Sequence, residues 1–590
     1  MKGSNSLAHR ILPLILLFVL LATALIAACA PAHEESKTTT PPPTQAPTPP
    51  SGAVTSPSYP PPPTEASVGA SGKGLFPSSV SEWWRDSDTI GLAVGGAKGI
   101  DNFRANIDNG YLPLPTDITY EGLFYEYYFD TGQTKSCNKL FCPSYSYAVT
   151  RDPFSSKTEY YLSVGLNSGM EERDFERKKL NLVIVLDISG SMSSPFNQYY
   201  YDRFGNQVEL GWKERNTQKI EVAKDAVIDV LDQLNNNDRF GIVLFNDRAS
   251  LLQRMTQVRH TDMDDVEDSI LDIRANGSTN LADGMKLATE LVEKYSDYDP
   301  YEYENRIIFL TDAMPNTGET GAYSLLRLLK NNAGDNIYTT FIGIGVDFNT
   351  ELIESITKTR GANYYSVHSP GDFMERMGEE FDYMVTPLVF DLRLTLDSED
   401  WDIETVYGSP EADKATGELM KVNTLFPSKK EAGETRGGLI LLKLMHRGDD
   451  SGNIRLNVSY EDRAGKEDSS TAKIYLDDER PEYFDNSGIR KGILLARYAD
   501  LMKDWLIDER NHAHWSRPWE PMVNPECGIV LPPSPLGEWE RQSLPLMVSR
   551  EYRALFEEFS DYFADEIDEI GDSTLEQELD ILESLIGYRD

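Results

Sequence analysis

Cysteine is scarce, four in 590 residues. That is too few for a disulfide scaffold, and no second pair stands beside Cys137 and Cys142 to complete a zinc site. Basic residues are outnumbered, 56 Lys and Arg against 96 Asp and Glu, for a net charge of −40. Nucleic-acid binding needs Lys and Arg to neutralise phosphates, and docking on anionic lipid needs the same charges, so both are disfavoured. The acidity reads as a solvated surface that keeps the chain soluble. Hydrolase signatures are missing as well: there is no His-Glu-x-x-His and no Gly-x-Ser-x-Gly. No Asp-x-Asp-x-Asp-Gly calcium loop is present either. Beyond Ala28 no apolar run is long enough to span a bilayer.

What is present starts with an export pattern. Lys2 and Arg10 precede an apolar run from Ile11 to Ala28, which closes on Ile26, Ala27 and Ala28 before Cys29. This resembles a bacterial lipoprotein signal, which implies cleavage before Cys29 and lipid on its sulfur; an uncleaved membrane anchor is the alternative. From Ser36 to about Gly72 the chain is mostly Pro, Thr, Ser, Ala and Gly, a stalk that cannot bury enough surface to order itself. In an exported protein the close pair Cys137 and Cys142 is expected to form a local disulfide. Cys527 carries no functional expectation.

The chemistry gathers further on. Leu182, Val183, Ile184, Val185 and Leu186 form an apolar run without polar alternation, which predicts a strand buried on both faces of a parallel sheet. It ends in Asp187, Ser189 and Ser191, where sites form in open α/β sheets. Hydroxyls and carboxylates without Cys or His suit a hard cation, Mg²⁺ first, with Ca²⁺ or Mn²⁺ as alternatives. Thr279 lies in a loop before a helical pattern, and Asp312 follows the apolar run Ile307 to Leu310.

Together Asp187, Ser189, Ser191, Thr279 and Asp312 resemble the metal-ion-dependent adhesion site of the von Willebrand factor type A (VWA) family. The resemblance implies a doubly wound, mostly parallel sheet with helices on both faces. It also implies an ion held by those five residues and completed by a Glu or Asp of a partner protein. The stretch from Asp101 to Gly132 resembles a region found ahead of the VWA domain in exported bacterial proteins. Between Ser193 and Gln218 the chain departs from the family with an insert carrying Phe196, Tyr199, Tyr200, Tyr201 and Trp212. These rings either line the rim of the metal site and select the ligand, or pack on the domain as its own lid.

The remaining patterns complete an expected organisation. Alternating runs at Leu388–Leu396 and Ile454–Tyr460 predict a β-sandwich, which borrows Tyr160–Leu166 from the other side of the VWA stretch. Two amphipathic helices follow, marked by Leu494, Tyr498, Leu501 and Trp505 and by Tyr552, Phe556, Phe559 and Phe563. The expected segments are 1–28 signal, 29–75 linker, 76–177 N-terminal VWA-associated region, 178–384 VWA domain, 385–480 β-sandwich and 481–590 helical region. The expected protein is a non-enzymatic, lipid-anchored adhesion module facing the extracytoplasmic side of a bacterial envelope. An accessory subunit of a membrane channel or transporter is the alternative. A metal-dependent hydrolase is disfavoured because none of the seven His residues falls beside the five ligands.

Overall fold

The structure is a computed structural model that describes residues 89–196, 218–296, 301–312, 322–346, 348–367, 377–378, 380–411, 419–447, 453–475, 481–516, 522–523, 530–531 and 544–589. Among the described residues Met522–Val523 pairs antiparallel with Val530–Leu531 in a unit of its own. The signal and stalk patterns lie outside the described residues. The other unit holds the rest of the described residues.

That unit begins with β1 (Thr89–Val94) and β2 (Gly96–Lys98). Next come helices α1 (Asp101–Asp108) and α2 (Tyr120–Tyr125). Phe103 and Ile107 lie one turn apart on α1 and are both buried, as their spacing predicts. Thr119 caps α2, its hydroxyl accepting from the Gly122 amide. Strands β3 (Tyr128–Phe129), β4 (Ser144–Arg151), β5 (Thr158–Gly165) and β6 (Asn167–Glu171) follow, with a disulfide joining Cys137 to Cys142.

The central layer is built from β7 (Lys179–Asp187), β8 (Arg239–Phe245), β9 (Ala249–Gln257), β10 (Tyr303–Thr311), β11 (Ile337–Ile344) and β12 (Asn363–Val367). Interleaved are α3 (Lys219–Asp232), α4 (Met263–Leu271), α5 (Leu281–Val292), α6 (Ala322–Gly334), α7 (Thr350–Thr357) and α8 (Phe381–Val385). The strand order is β2-β12-β11-β10-β7-β8-β9, parallel throughout except for β9, which is antiparallel to β8. From β7 the chain first turns towards β8 and later returns to β10 on its other side, so the order reverses between β7 and β10. This is the crevice where open α/β sheets place ligands. Along β7, Leu182, Ile184 and Leu186 enter the core on one face, and Val183 and Val185 enter the core on the other. The unalternating apolar run therefore has a physical cause: both faces are dry.

Then come β13 (Val389–Asp397), β14 (Trp401–Tyr407), β15 (Leu419–Ser428), β16 (Lys430–Glu431), β17 (Glu434–Arg436), β18 (Leu439–His446), β19 (Asn453–Asp462), β20 (Glu467–Tyr475) and β21 (Tyr483–Phe484). One sheet runs β20-β19-β13-β15-β1-β6 and another β14-β18-β5-β4-β21. Their inner faces share a core that includes Leu92, Leu162, Val164, Leu392, Leu442 and Leu456. Because β1, β4, β5 and β6 come before β7 and β13 to β20 after β12, the α/β layer, apart from its edge strand β2, is an insertion between sandwich strands. The borrowed strand is real: Leu162 of β5 stands opposite Leu442 of β18.

The chain closes with α9 (Ser487–Ser516), α10 (Arg550–Ile570) and α11 (Glu576–Gly587). The aromatic stripe of α10 is core, with Phe556, Phe559 and Phe563 fully buried. Each such ring stabilises the fold by about 1.5–3 kcal/mol through burial. Sequence spacing separates the N-terminal stretch from these helices, but the structure packs them into one core holding Phe103, Ile107, Trp505, Phe556 and Leu582. Among the described residues no helix is long and apolar enough to cross a membrane.

Candidate metal centre

Asp187 is the last residue of β7, and register places Leu186 opposite Leu310 of β10, which brings Thr311 and Asp312 alongside. The Asp187 carboxylate is buried and held from two sides. The Ser189 amide donates to its Oδ1 at 2.8 Å, and the Thr311 hydroxyl donates to its Oδ2 at 2.7 Å. Ser189 Oγ and Ser191 Oγ lie 3.1 Å apart, so both hydroxyls gather at the end of the strand.

The Thr279 loop docks on this turn through backbone. The Gly190 amide donates to the Gly277 carbonyl at 2.9 Å, and the Asn276 amide to the Ile188 carbonyl at 2.7 Å. Thr279, two residues on, is buried, and Asn280 then caps α5 by accepting from the Asp283 amide. Asp312 is also buried, and its carbonyl accepts from the amide of Asn349, the N-cap of α7. Burial, and after it the charge of Asp312, pushes the Asp187 carboxyl up to about 7. The structure thus brings Asp187, Ser189, Ser191 and Asp312 to one strand-end crevice, with the Thr279 loop seated against it.

Three contributors escaped the sequence reading. Thr311 orients Asp187. Asp247 accepts from both the amide and the hydroxyl of Ser278, which holds the Thr279 loop and keeps the Asp247 carboxyl low. Lys219 begins α3, yet its ammonium is buried 3.4 Å from Asp312 Oδ2. A lysine heading a helix next to a long insert is ordinarily solvated, so nothing in the pattern singled it out.

The insert closes at its base, where Pro195 and Gln218 form an antiparallel bridge and the Lys219 amide donates to the Ser194 carbonyl. That closure lets α3 resume in place despite the excursion. Phe196 is buried in the core beside Met192 and Ile220, which agrees with the second of its two readings, a ring packed on the domain itself. Tyr199, Tyr200, Tyr201 and Trp212 lie outside the described residues.

Among the described residues no group of three or more His, Cys, Asp or Glu is arranged to hold a metal ion. The donor set here is two carboxylates with hydroxyls, which suits a hard cation and little else.

Residues 182–315 match the von Willebrand factor type A domain. The chain is 24% identical to mouse inter alpha-trypsin inhibitor heavy chain 4 over 216 residues, 35% of this chain and 20% of that protein. It is 22% identical to inter-alpha-trypsin inhibitor heavy chain H1 of Mesocricetus auratus over 313 residues, 52% of this chain and 29% of that one. A von Willebrand factor type A structure from Catenulispora acidiphila aligns at 13% identity and a TM-score of 0.40, covering 72% of this chain and 96% of that one. The chain therefore spans less than a third of the length of these two heavy chains. Residues 182–315 thus carry a match to the VWA domain, and the α/β layer they belong to is set between the strands of a β-sandwich.

Proposed function

We propose that this protein binds a partner protein through a divalent ion, Mg²⁺ first, held by Asp187, Ser189, Ser191, Thr279 and Asp312. The observation that carries this reading is the buried pair Asp187 and Asp312, at the ends of the neighbouring strands β7 and β10, with the Ser189 and Ser191 hydroxyls gathered at the same strand end. Two carboxylates forced together in a dry crevice repel, and a divalent cation removes that cost. The neutral hydroxyls leave the ion electrophilic, so an Asp or Glu from the partner gains a charge-assisted bond. No described His lies beside these residues to act as a base, which favours binding over hydrolysis.

In this proposal the protein is exported and carried on a lipid at Cys29, with the stalk holding the VWA domain away from an envelope membrane. The test is a pull-down from surface and membrane fractions in Mg²⁺ against EDTA, with Asp187→Ala as control. The reading predicts partners that are recovered in Mg²⁺, lost in EDTA and lost with Asp187→Ala. Recovery indifferent to both treatments contradicts it, and recovery of a pore-forming complex would favour the accessory role instead.

A further inference from the structure

We infer that Lys219 is a specificity determinant of the candidate metal centre: its buried charge loosens the ion and strengthens the hold on an incoming carboxylate. This rests on the reading of the five residues as an ion site. The Lys219 ammonium and the Asp312 carboxylate are both fully excluded from solvent and lie 3.4 Å apart. The contact is built in by the fold. Gly345 follows β11 with φ +95°, and a Cβ there would stand 2.6 Å from Lys219 Cε, so the absence of a side chain gives the lysine its path.

Asp187, Asp312 and Lys219 together carry a charge of −1, and a divalent ion brings that sum to +1. Without the lysine the same ion would bring it to zero. In a dry crevice one unit of charge is felt strongly by every ion that enters. Lys219 therefore repels the cation and attracts an anionic group offered to the cation. It also gives Asp312 a partner before the ion arrives. The pair lets the ion exchange and reserves part of the electrostatic stabilisation for the carboxylate of the ligand.

The experiment uses the full chain, wild type and Lys219→Met, checked for fold by circular dichroism. Mn²⁺ affinity is measured by calorimetry. Glutarate is then titrated against the water relaxivity of the bound Mn²⁺, which reports a carboxylate displacing water from the ion. Lys219→Met should bind Mn²⁺ about tenfold tighter and require about tenfold more glutarate. If the variant is unfolded in chelator, Mn²⁺ should restore it, with a larger rise in melting temperature than in the wild type. Unchanged or weaker Mn²⁺ binding by the variant, or an unchanged glutarate dependence, overturns the inference. A wild-type chain that takes up no Mn²⁺ overturns the ion-site reading itself.

Discussion

Val94 and Ala97 belong to different sheets although only two glycines separate them: Val94 stands opposite Leu425 in the sandwich and Ala97 opposite Tyr364 in the central layer. One short run of chain thus stitches the VWA sheet to its host. Gly96 makes the step at φ +104°, and the place a Cβ would take is filled by Pro410 and by Glu121 Oε1. Gly96→Ala should cost about 1–3 kcal/mol through left-handed backbone and crowding together. Urea unfolding monitored by tryptophan fluorescence checks it, and an unchanged midpoint would mean that the crossing has slack.

Glu121 packs against this crossing, and burial pushes its carboxyl up to about 7. A folded-state value above the ordinary 4.5 means that the folded protein keeps a proton which the unfolded chain releases. Stability is therefore lost as pH rises from about 4.5 to 7 and stays lost above. Glu121→Gln should be more stable than wild type at about pH 8, by roughly 1–3 kcal/mol, and equal to it at about pH 4. Thermal melts in EDTA at both pH values separate this from any effect of metal. An advantage present at the lower pH as well would contradict the assignment.

Arg104 on α1 pairs with Glu578 on α11, which is fully buried and also accepts from the Tyr127 hydroxyl at 2.8 Å. Arg104→Ala strands that carboxylate in the shared core, and the expected loss is about 3–5 kcal/mol. Because the pair spans nearly the whole described chain, denaturation should show both ends unfolding in one transition. A separate early transition of the terminal helices would contradict a common core.

Much of the fold was legible beforehand. The run Leu182–Leu186, the alternation in Leu388–Leu396 and the spacing of Phe556, Phe559 and Phe563 each carry the period of the element they form. Edge pieces were not legible. Strand β2 is buried but only three residues long, too short to show a period, and β9 has no buried apolar face except Met255, so as a wetted edge strand it loses the signal. Four of the candidate ligands were readable because they end or follow an apolar run, and Thr279 because its loop precedes a helical pattern. Lys219 was not readable, because the glycine that admits it lies more than a hundred residues downstream.

The disulfide between Cys137 and Cys142 closes a short loop, with a sequence separation of five. Short loops lose little entropy when closed, so Cys137→Ser with Cys142→Ser should cost only about 2 kcal/mol. Chemical denaturation of the double variant checks this. A far larger loss would show that the loop supports the sandwich beyond its own closure.

The most direct measurement of the central claim is calorimetric titration of Mg²⁺ into the chelator-treated full chain, beside Asp187→Ala and Thr279→Ala. The account predicts one ion per wild-type chain and no measurable binding by Asp187→Ala, with Thr279→Ala weakened at least about tenfold. Wild-type protein that takes up no ion, or Asp187→Ala that binds as wild type does, would contradict it.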